Sequence, residues 1–405
     1  MINRKKFDFL LAFILLALII IGCTAIFSAS TSKIGDAVRT APYWWKQIIF
    51  SLVALVLILT LLKLPMPVFE LLITPLYILN ILALIGVFFT PAINGSHRWY
   101  SIAGFSYQPS ESAKILSILM VAKWISKEHL SEIKQVFYGI GIILLPVGLI
   151  IFEPDFGTTL VFWFALFAML IAAKVPLFYV LMLISPVVSL VFSAYWLALG
   201  LWLLLFAYLL FRSRLSWVAI SVAVILNLFL ALSMPVFWNT LKDYQQNRIL
   251  TFIDPMRDPL GSGYQIIQSK IAIGSGGSFG KGWLSGTQKN MNFIPEHHTD
   301  FIFSVIGEEW GFLGAILLLL VFFALFWRMV KAIGDLKIPE RKIASAGIFA
   351  YILFQTFINI GMNIGLIPAT GIPLPFISYG GSNLLINTIA IGIVLKYLNE
   401  RGFIK

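Results

Sequence analysis

The chain has few charged residues, four histidines and a single cysteine among its 405 residues. That one cysteine, Cys23, excludes an internal disulfide and any metal cluster built from cysteines. Charged residues make up 12% of the sequence, about half the usual share of a soluble globular domain. The sequence also shows no internal repeat and no low-complexity tract, which weighs against a transporter built from inverted repeats.

The chain is instead rich in apolar residues, since 60% of its residues are hydrophobic. Many apolar runs reach the length of about 20 residues that a helix needs to cross a bilayer core of about 30 Å. Unbroken apolar runs are typical of helices rather than of membrane barrels. The sequence therefore predicts an all-α, polytopic transmembrane helical bundle that forms a single membrane domain over 1–405. We predict about twelve spans, at 8–28, 45–63, 68–90, 111–127, 135–152, 158–173, 176–193, 195–211, 215–236, 301–328, 343–367 and 382–398.

The net charge of +11 could suggest a nucleic-acid partner, but the basic residues cluster at the ends of the spans. If the N-terminus is inside, the inner loops collect most of the lysines and arginines and the short outer loops hold few. This pattern follows the positive-inside rule and, with an even number of spans, places both termini in the cytoplasm. No nucleic-acid partner is expected. Four segments then face outward, namely 94–110, 153–157, 238–299 and 368–382.

The first outward segment carries Arg98 and leads into a helix with Pro109 in its first turn. Glu111 and Lys114 are three residues apart in that helix, so they share a face. Ionisable residues at the edge of a span are a functional hypothesis by default. The alternatives are a structural ion pair and side chains that snorkel toward water.

The second segment places two acids, Glu153 and Asp155, at the mouth of a short hairpin. Two such carboxylates could hold a divalent cation, and their hard oxygen ligands suit magnesium or manganese. The alternative is capping, since Asp155 lies near the start of the next predicted helix.

The third segment, 238–299, is the only long polar stretch of the chain, and it carries Arg248, Asp254 and Asp258. These charges suit chemistry on a charged substrate at a membrane surface. A glycine-rich run at 274–282 contains Lys281 and could cradle a phosphate through backbone N–H groups. The run lacks P-loop spacing, and a flexible turn is the alternative.

The end of this segment contains His297, His298 and Asp300, which could bind zinc, although their spacing matches no zinc-protease motif. The fourth segment, with Ser378 and Ser382, is dense in proline and glycine. Such a composition indicates an irregular or re-entrant segment that lines protein or a cavity.

Several of these passages, in this order, resemble the SEDS family (shape, elongation, division and sporulation proteins) over nearly the whole chain. The passages are DPLGSGYQ at 258–265, AIGSGG at 272–277, PEHHTDFIF at 295–303 and ISYGGS at 377–382. The glycine-rich passage is most similar to the elongation branch.

The resemblance implies an inverting peptidoglycan glycosyltransferase that polymerises lipid II at the outer face of the bacterial cytoplasmic membrane. It implies a role in cell elongation and rod shape, with a class B penicillin-binding protein as the transpeptidase partner. The essential acid of the family falls on Asp258, directly before Pro-Leu-Gly, and Asp254 is the rival base. Glu111, paired with Lys114, matches the acid that lines the family's central cavity.

Inverting transfer needs a base for the acceptor hydroxyl and cationic groups for the pyrophosphate leaving group. Arg248, Lys114 and Lys281 are the candidates for that contact. A divalent cation, magnesium or manganese, could share this role, and no organic cofactor is expected. The other candidates for substrate binding or for lining the cavity are Arg98, Glu153, Asp155, His298, Asp300, Ser378 and Ser382.

The chain exceeds the family core by one predicted helical hairpin at 176–212, which leaves the outward facing of 238–299 unchanged. Two other functions are open at this point. The chain could be a flippase that moves lipid II across the bilayer, or a non-catalytic scaffold of the elongation machinery. The acids of the outer segment favour an enzyme, since a flippase has no evident need of a base there.

Overall fold

The protein is an assembly of membrane-spanning helices with short β-hairpins between some of them. The computed structural model of the chain describes residues 7–34, 37–91, 97–102, 105–127, 129–153, 155–193, 195–212, 217–241, 243–259, 261, 263–287 and 298–400. The α-helices within these ranges are α1 Phe9–Ser30, α2 Tyr43–Lys63, α3 Met66–Gly86, α4 Pro109–Ile125, α5 Glu132–Phe152, α6 Phe156–Ala172, α7 Leu177–Phe192, α8 Trp196–Arg212, α9 Trp217–Leu232, α10 Met234–Thr240, α11 Asp243–Ile253, α12 Tyr264–Ser275, α13 Ile302–Asp335, α14 Pro339–Asn363 and α15 Gly381–Asn399.

A helix occupies each of the twelve predicted spans, so the predicted helical membrane bundle is confirmed. Within the described ranges, seven helices are long and apolar enough to cross a membrane, namely α1, α2, α3, α5, α13, α14 and α15. Shorter apolar helices fill most of the other predicted spans. The remaining span is α4, which carries the charged residues Glu111, Lys114 and Lys123.

Three details differ from the sequence prediction. Two short antiparallel hairpins occur outside the helices, formed by β1 Thr31–Ile34 with β2 Ala37–Thr40 and by β3 Tyr100–Ile102 with β4 Phe105–Tyr107. α13 ends at Asp335 rather than at 328, and it breaks at Gly311, where the backbone has φ 68° and ψ −164°. The polar segment after α9 is largely helical, because α10, α11, α12 and a 3-10 turn at Pro255–Arg257 occupy most of its described part.

The bundle has inner and outer helices. In their most apolar stretches, α14 is 72% buried and α15 is 78% buried, whereas α13 is only 22% buried. α4 packs against α3, α5, α6, α14 and α15, and most of its side chains are buried. The functional candidates on α4 and α15 therefore lie in the centre of the protein, away from lipid.

α7 and α8 form the predicted hairpin, and both pack on α9. A small core that includes Phe206 and Ile220 joins the three helices. A buried amide, Asn227, donates to Ser185 at 3.1 Å and accepts from Ser189 at 2.8 Å. Satisfied polar side chains of this kind hold helices together within a bilayer. The assignment of this hairpin as an insertion stays a prediction.

Candidate functional site

The predicted outer ends of α4, α6 and α15 meet at Gln108. The Gln108 backbone N–H donates to the Ser382 hydroxyl at 3.1 Å, and its side-chain amide donates to Asp155 at 3.4 Å. The Ser382 hydroxyl in turn donates to the carbonyl of Ser106 at 3.1 Å. Asp155 also caps α6, since it accepts from the backbone N–H of Thr158 at 3.2 Å. The capping alternative for Asp155 is thus confirmed, and Asp155 and Ser382 lie at one site.

Directly inside this junction, Glu111 and Lys114 form a buried ion pair at 2.8 Å. Glu111 is 4% exposed and Lys114 is 1% exposed. Asn383 of α15 donates a further hydrogen bond of 2.9 Å to the same carboxylate oxygen. The prediction that the two charges share a helix face is confirmed. A charge pair in the middle of a membrane bundle needs such partners, because unpaired charges are strongly disfavoured there.

Lys114 of this ion pair lines a narrow cavity between α4, α5, α6 and α14. Its polar lining consists of Lys114, Ser117 and Tyr351. The rest of the wall is aliphatic or aromatic, with Ile118, Val121, Ile143, Val161, Phe162, Ala165, Leu166 and Met169. The cavity is therefore mostly apolar, with these three residues as its polar lining.

Beside this junction, Arg98 and Glu153 connect the first two outward segments. The Arg98 guanidinium donates to the backbone carbonyl of Glu153 at 2.7 Å. The Glu153 side chain is 1% exposed, and its two carboxyl oxygens have no hydrogen-bond partner among the described residues. Burial raises the pKa of Glu153 to about 8, the charge of Asp155 adds to this rise, and Arg98 opposes it. The carboxyl group is therefore mostly protonated at neutral pH.

This raised pKa predicts how stability depends on pH. The folded protein holds the Glu153 proton up to about pH 8, whereas an unfolded glutamate releases it near pH 4.5. Because the folded state binds more protons in that window, the free energy of unfolding falls as pH rises from about 4.5 to about 8. We expect Glu153→Gln to remove this dependence and to raise the melting temperature at pH 9 but not at pH 5. Thermal unfolding of the purified protein across that range measures it.

The control is Glu132→Gln, at an exposed glutamate in the first turn of the same helix. That variant should keep the wild-type slope of stability against pH. A wild-type slope in Glu153→Gln as well would show that Glu153 ionises normally.

The segment that contains His298 is locked to the segment that contains Ser378. The Tyr379 backbone N–H donates to the carbonyl of His298 at 2.9 Å, and the His298 ring stacks on Tyr43 with centroids 4.1 Å apart. The Ser378 hydroxyl donates to Thr299 at 2.6 Å and accepts from the backbone N–H of Leu374 at 2.8 Å. Ser378 is 2% exposed, so burial and bonding favour a structural role for it. His297 lies outside the described residues.

Asp300 lies in the same place and is held by two asparagines of α14. Its backbone carbonyl accepts from Asn359 at 2.8 Å and from Asn363 at 3.0 Å. Asn363 also accepts from the backbone N–H of Ser304 at 3.1 Å. The residues predicted from sequence at 298, 300 and 378 therefore belong to segments that hydrogen bonds tie together. The asparagines that hold the Asp300 segment were missed, because an amide in an amphipathic helix gives no signal of its own.

The glycine-rich run packs on the break in α13. The Lys281 and Gly282 backbone N–H groups donate to the carbonyls of Glu308 and Glu309, both at 3.0 Å. In the other direction, the backbone N–H of Phe312 in the broken helix donates to the carbonyl of Gly277 at 2.9 Å. The run thus satisfies the backbone groups that the kink leaves open. These bonds identify a structural tie and occupy the backbone N–H groups of Lys281 and Gly282, while the phosphate-cradle and flexible-turn interpretations stay predictions.

Lys281 forms an ion pair of 2.8 Å with Glu308, and Thr287 donates to the same carboxylate oxygen at 2.7 Å. The next residue, Glu309, accepts from the Ser28 hydroxyl of α1 at 2.5 Å. Glu308 and Glu309 are 1% and 2% exposed. Like Lys114, Lys281 therefore pairs its ammonium with a buried carboxylate, and its predicted contact with pyrophosphate stays a prediction. The two adjacent acids inside an apolar run were the signal that could have identified this cluster.

The close packing of the run predicts a large difference between two alanine substitutions. Gly280 has φ 79°, and a Cβ there would overlap the carbonyl of Glu309, whereas Gly277 has φ 57° and open space around it. We expect Gly277→Ala to cost about 1–2 kcal/mol, the price of left-handed backbone alone. Gly280→Ala adds a steric conflict with rigid backbone and should cost roughly twice as much or more. Unfolding of the two variants in detergent measures this difference.

Equal losses of stability in the two variants would mean that only backbone conformation determines the effect and that the glycine-rich run does not pack tightly against α13.

The acid of the outer segment lies on a turn between α11 and α12. The Asp258 backbone carbonyl accepts from the N–H groups of Gly261 at 3.3 Å and Gly263 at 3.1 Å. The carboxylate lies over Gly261, where a Cβ would overlap it. Asp258 is half-buried, whereas Asp254 is exposed and caps the 3-10 turn through a bond of 3.1 Å from Met256. The turn therefore presents Asp258 in a defined position, and Asp254 serves as its N-cap.

Arg248 is exposed on α11, six residues before Asp254. α11 packs on the 3-10 turn, and α12 packs on α13 and α14. Asp258 is thereby connected to the inner bundle through α12. In the described part of the chain, no three His, Cys, Asp or Glu side chains are grouped so that they could hold a metal ion.

Comparisons with known proteins agree with this architecture. The FTSW_RODA_SPOVE family, described as cell cycle protein, matches residues 8–203 and 198–401. The peptidoglycan glycosyltransferase MrdB of Escherichia coli (strain K12) is 36% identical over 408 residues, which cover 98% of this chain and 97% of that protein. The peptidoglycan glycosyltransferase RodA of Treponema pallidum is 32% identical, with 98% of both proteins covered.

A solved structure has a similar fold. It belongs to a study of the structural coordination of polymerization and crosslinking by a peptidoglycan synthase complex. One chain of it superposes with a TM-score of 0.71 and 29% identity, covering 98% of this chain and 99% of that one.

Proposed function

The chain belongs to the FtsW/RodA/SpoVE family and is a multi-pass membrane peptidoglycan glycosyltransferase, and from this premise we propose that it polymerises lipid II into glycan strands. The reaction takes place at the outer face of the bacterial cytoplasmic membrane and serves cell elongation. The observation that carries this proposal is the place of Asp258, a half-buried carboxylate fixed on a turn of the predicted outer segment.

In this proposal Asp258 acts as the general base. It accepts the proton of the acceptor sugar's hydroxyl while that oxygen attacks the anomeric carbon of the donor sugar. The bond from that carbon to the undecaprenyl pyrophosphate breaks, and the pyrophosphate leaves with the electron pair. The configuration inverts because attack and departure occur on opposite faces of the sugar ring.

The leaving pyrophosphate gains negative charge in the transition state, so cations aimed at it accelerate the reaction. Arg248 is exposed on the helix that leads to Asp258, and its planar guanidinium suits a bidentate contact with phosphate. Lys114 supplies a buried ammonium, paired with Glu111, and it lines the narrow cavity between α4, α5, α6 and α14. These two residues are our first candidates for the leaving group.

A divalent cation, magnesium or manganese, remains part of the proposal. Glu153 and Asp155 are a poor site for it, since Glu153 holds a proton at neutral pH and Asp155 caps α6. Magnesium is commonly bound by one or two carboxylates together with substrate phosphates. Bound in this way, the ion would neutralise part of the pyrophosphate charge.

A class B penicillin-binding protein is the proposed partner. Its support is the similar solved chain, which comes from a complex that coordinates polymerization and crosslinking. In such an assembly the partner crosslinks the strands that this chain makes.

Purified protein with and without that partner, reconstituted with fluorescent lipid II in proteoliposomes, tests the proposal. Glycan polymer on a gel is the expected result. Transbilayer movement of lipid II without polymer would instead support the flippase alternative. Partner binding with neither activity would support the scaffold alternative.

A further inference from the structure

Three residues that the reaction scheme does not use connect Glu111 and Lys114 into a closed ring of contacts. Tyr351 of α14 donates its hydroxyl to the Asn387 carbonyl oxygen, and the Asn387 amide donates to Asn383 at 2.9 Å. The Asn383 amide donates to Glu111 at 2.9 Å, and Lys114 donates to the same carboxylate at 2.8 Å. The ring closes because the Lys114 ammonium lies 5.7 Å from the centroid of the Tyr351 ring.

The Glu111 carboxylate fixes the direction of the hydrogen bonds that lead to it from Tyr351. A carboxylate only accepts, so the Asn383 amide N–H₂ must face Glu111 and its oxygen must face Asn387. The same logic turns the oxygen of Asn387 toward the tyrosine hydroxyl. The three bonds that lead from Tyr351 through Asn387 and Asn383 to Glu111 point one way, so each polarises and strengthens the next.

The ring is buried throughout. Tyr351 and Asn387 are 0% exposed, and Asn383 is 5% exposed. The ring joins three inner helices, α4, α14 and α15, beside the mostly apolar cavity that Lys114 and Tyr351 line. A lysine has a long flexible side chain. Here its charge partner, Glu111, is held by Asn383 of α15, and the aromatic side chain beside it, Tyr351, belongs to α14. The ammonium position therefore depends on residues of α14 and α15.

We propose that Tyr351, Asn383 and Asn387 are positioning residues that orient Glu111 and, through it, the Lys114 ammonium toward the pyrophosphate leaving group. This inference rests on the proposed function, in which Lys114 contacts that group. A displacement of about 1 Å in a group that stabilises a transition state can reduce the rate about 100-fold. The effect falls on kcat more than on KM, because the charge on the leaving group develops during the reaction.

Tyr351→Phe is the sharpest variant, since it keeps the ring beside Lys114 and removes only the hydroxyl donor. Asn387→Leu removes both hydrogen bonds and keeps the number and branching of the side-chain heavy atoms. Polymerisation rates of the partner-bound protein are measured over a range of lipid II concentrations. We expect kcat to fall about tenfold in Tyr351→Phe and about 100-fold in Asn387→Leu. KM should change by less than about threefold in both variants.

Two controls carry the same chemical changes away from the ring. Tyr77→Phe loses a buried hydroxyl that donates to Ile142 at 2.6 Å, and Asn227→Leu loses a buried amide between α7 and α9. Both should lose stability comparably and keep the wild-type kcat. Rates that fall equally in the controls, or wild-type kcat in Tyr351→Phe and Asn387→Leu, would overturn the positioning role.

Glu111→Gln separates this inference from the proposed function. If Glu111→Gln polymerises like the wild type, the ion pair has no part in the reaction and the assignment of Lys114 fails. If Glu111→Gln loses polymer while the ring variants keep the wild-type kcat, only the positioning inference fails.

Discussion

Asp258→Asn should abolish glycan polymer while the protein folds and binds its transpeptidase partner. The substitution keeps the shape of the side chain and removes its ability to take a proton. A positioned general base typically contributes about 100- to 10,000-fold to a rate, so the loss should be of that size. The measurement is polymer formation from lipid II by the purified complex, together with the melting temperature of each variant.

Asp254→Asn is the discriminating comparison, because it makes the same change of charge four residues earlier. Its side-chain oxygen caps the 3-10 turn at Met256, and an asparagine can still accept that bond. We expect this variant to polymerise. The reverse pattern, an active Asp258→Asn and an inactive Asp254→Asn, would transfer the role of base to Asp254.

Lys114→Met should both destabilise the bundle and stop polymerisation. The methionine fills most of the lysine volume but leaves the carboxylate of Glu111 buried without its charge partner. Removal of one member of a buried ion pair costs about 3–5 kcal/mol. Unfolding in detergent and polymer formation from lipid II measure the two effects separately.

The double variant Glu111→Gln with Lys114→Met separates stability from chemistry. Neutral groups of similar volume often replace a buried ion pair with little loss of stability, so this variant should regain most of the stability that Lys114→Met loses. It should regain none of the activity, because Lys114→Met removes the cation that lines the cavity. A stable and active double variant would show that the pair is structural only.

The class of the fold could be predicted from the sequence because each membrane span is a local property. A helix within lipid satisfies its own backbone, so an apolar run of sufficient length defines a span whatever its neighbours are. The pair on α4 was also predictable, since residues three apart share a face in any helix. The motif that carries Asp258 is contiguous, and it was recognised without knowledge of its surroundings.

Other features could not be found in this way. Ser28 bonds to Glu309 and Asn383 bonds to Glu111 across more than 250 positions of sequence. The glycine-rich run looked like a loop because nothing local shows that α13 breaks beside it. Glu153 was a candidate metal ligand because the sequence does not show that it is buried. Its burial depends on packing around the junction at Gln108, and it raises the pKa of Glu153 to about 8.

The sequence by itself determined that this chain is a helical membrane protein and that one long polar segment carries Asp258. These conclusions follow from hydropathy and from contiguous motifs, which are written along the chain. The tertiary structure alone decided which polar groups meet inside the bundle, namely Glu111 and Lys114 with Asn383, Asn387 and Tyr351. The physical reason is that a buried polar group must find a partner, and in a bundle that partner comes from another helix.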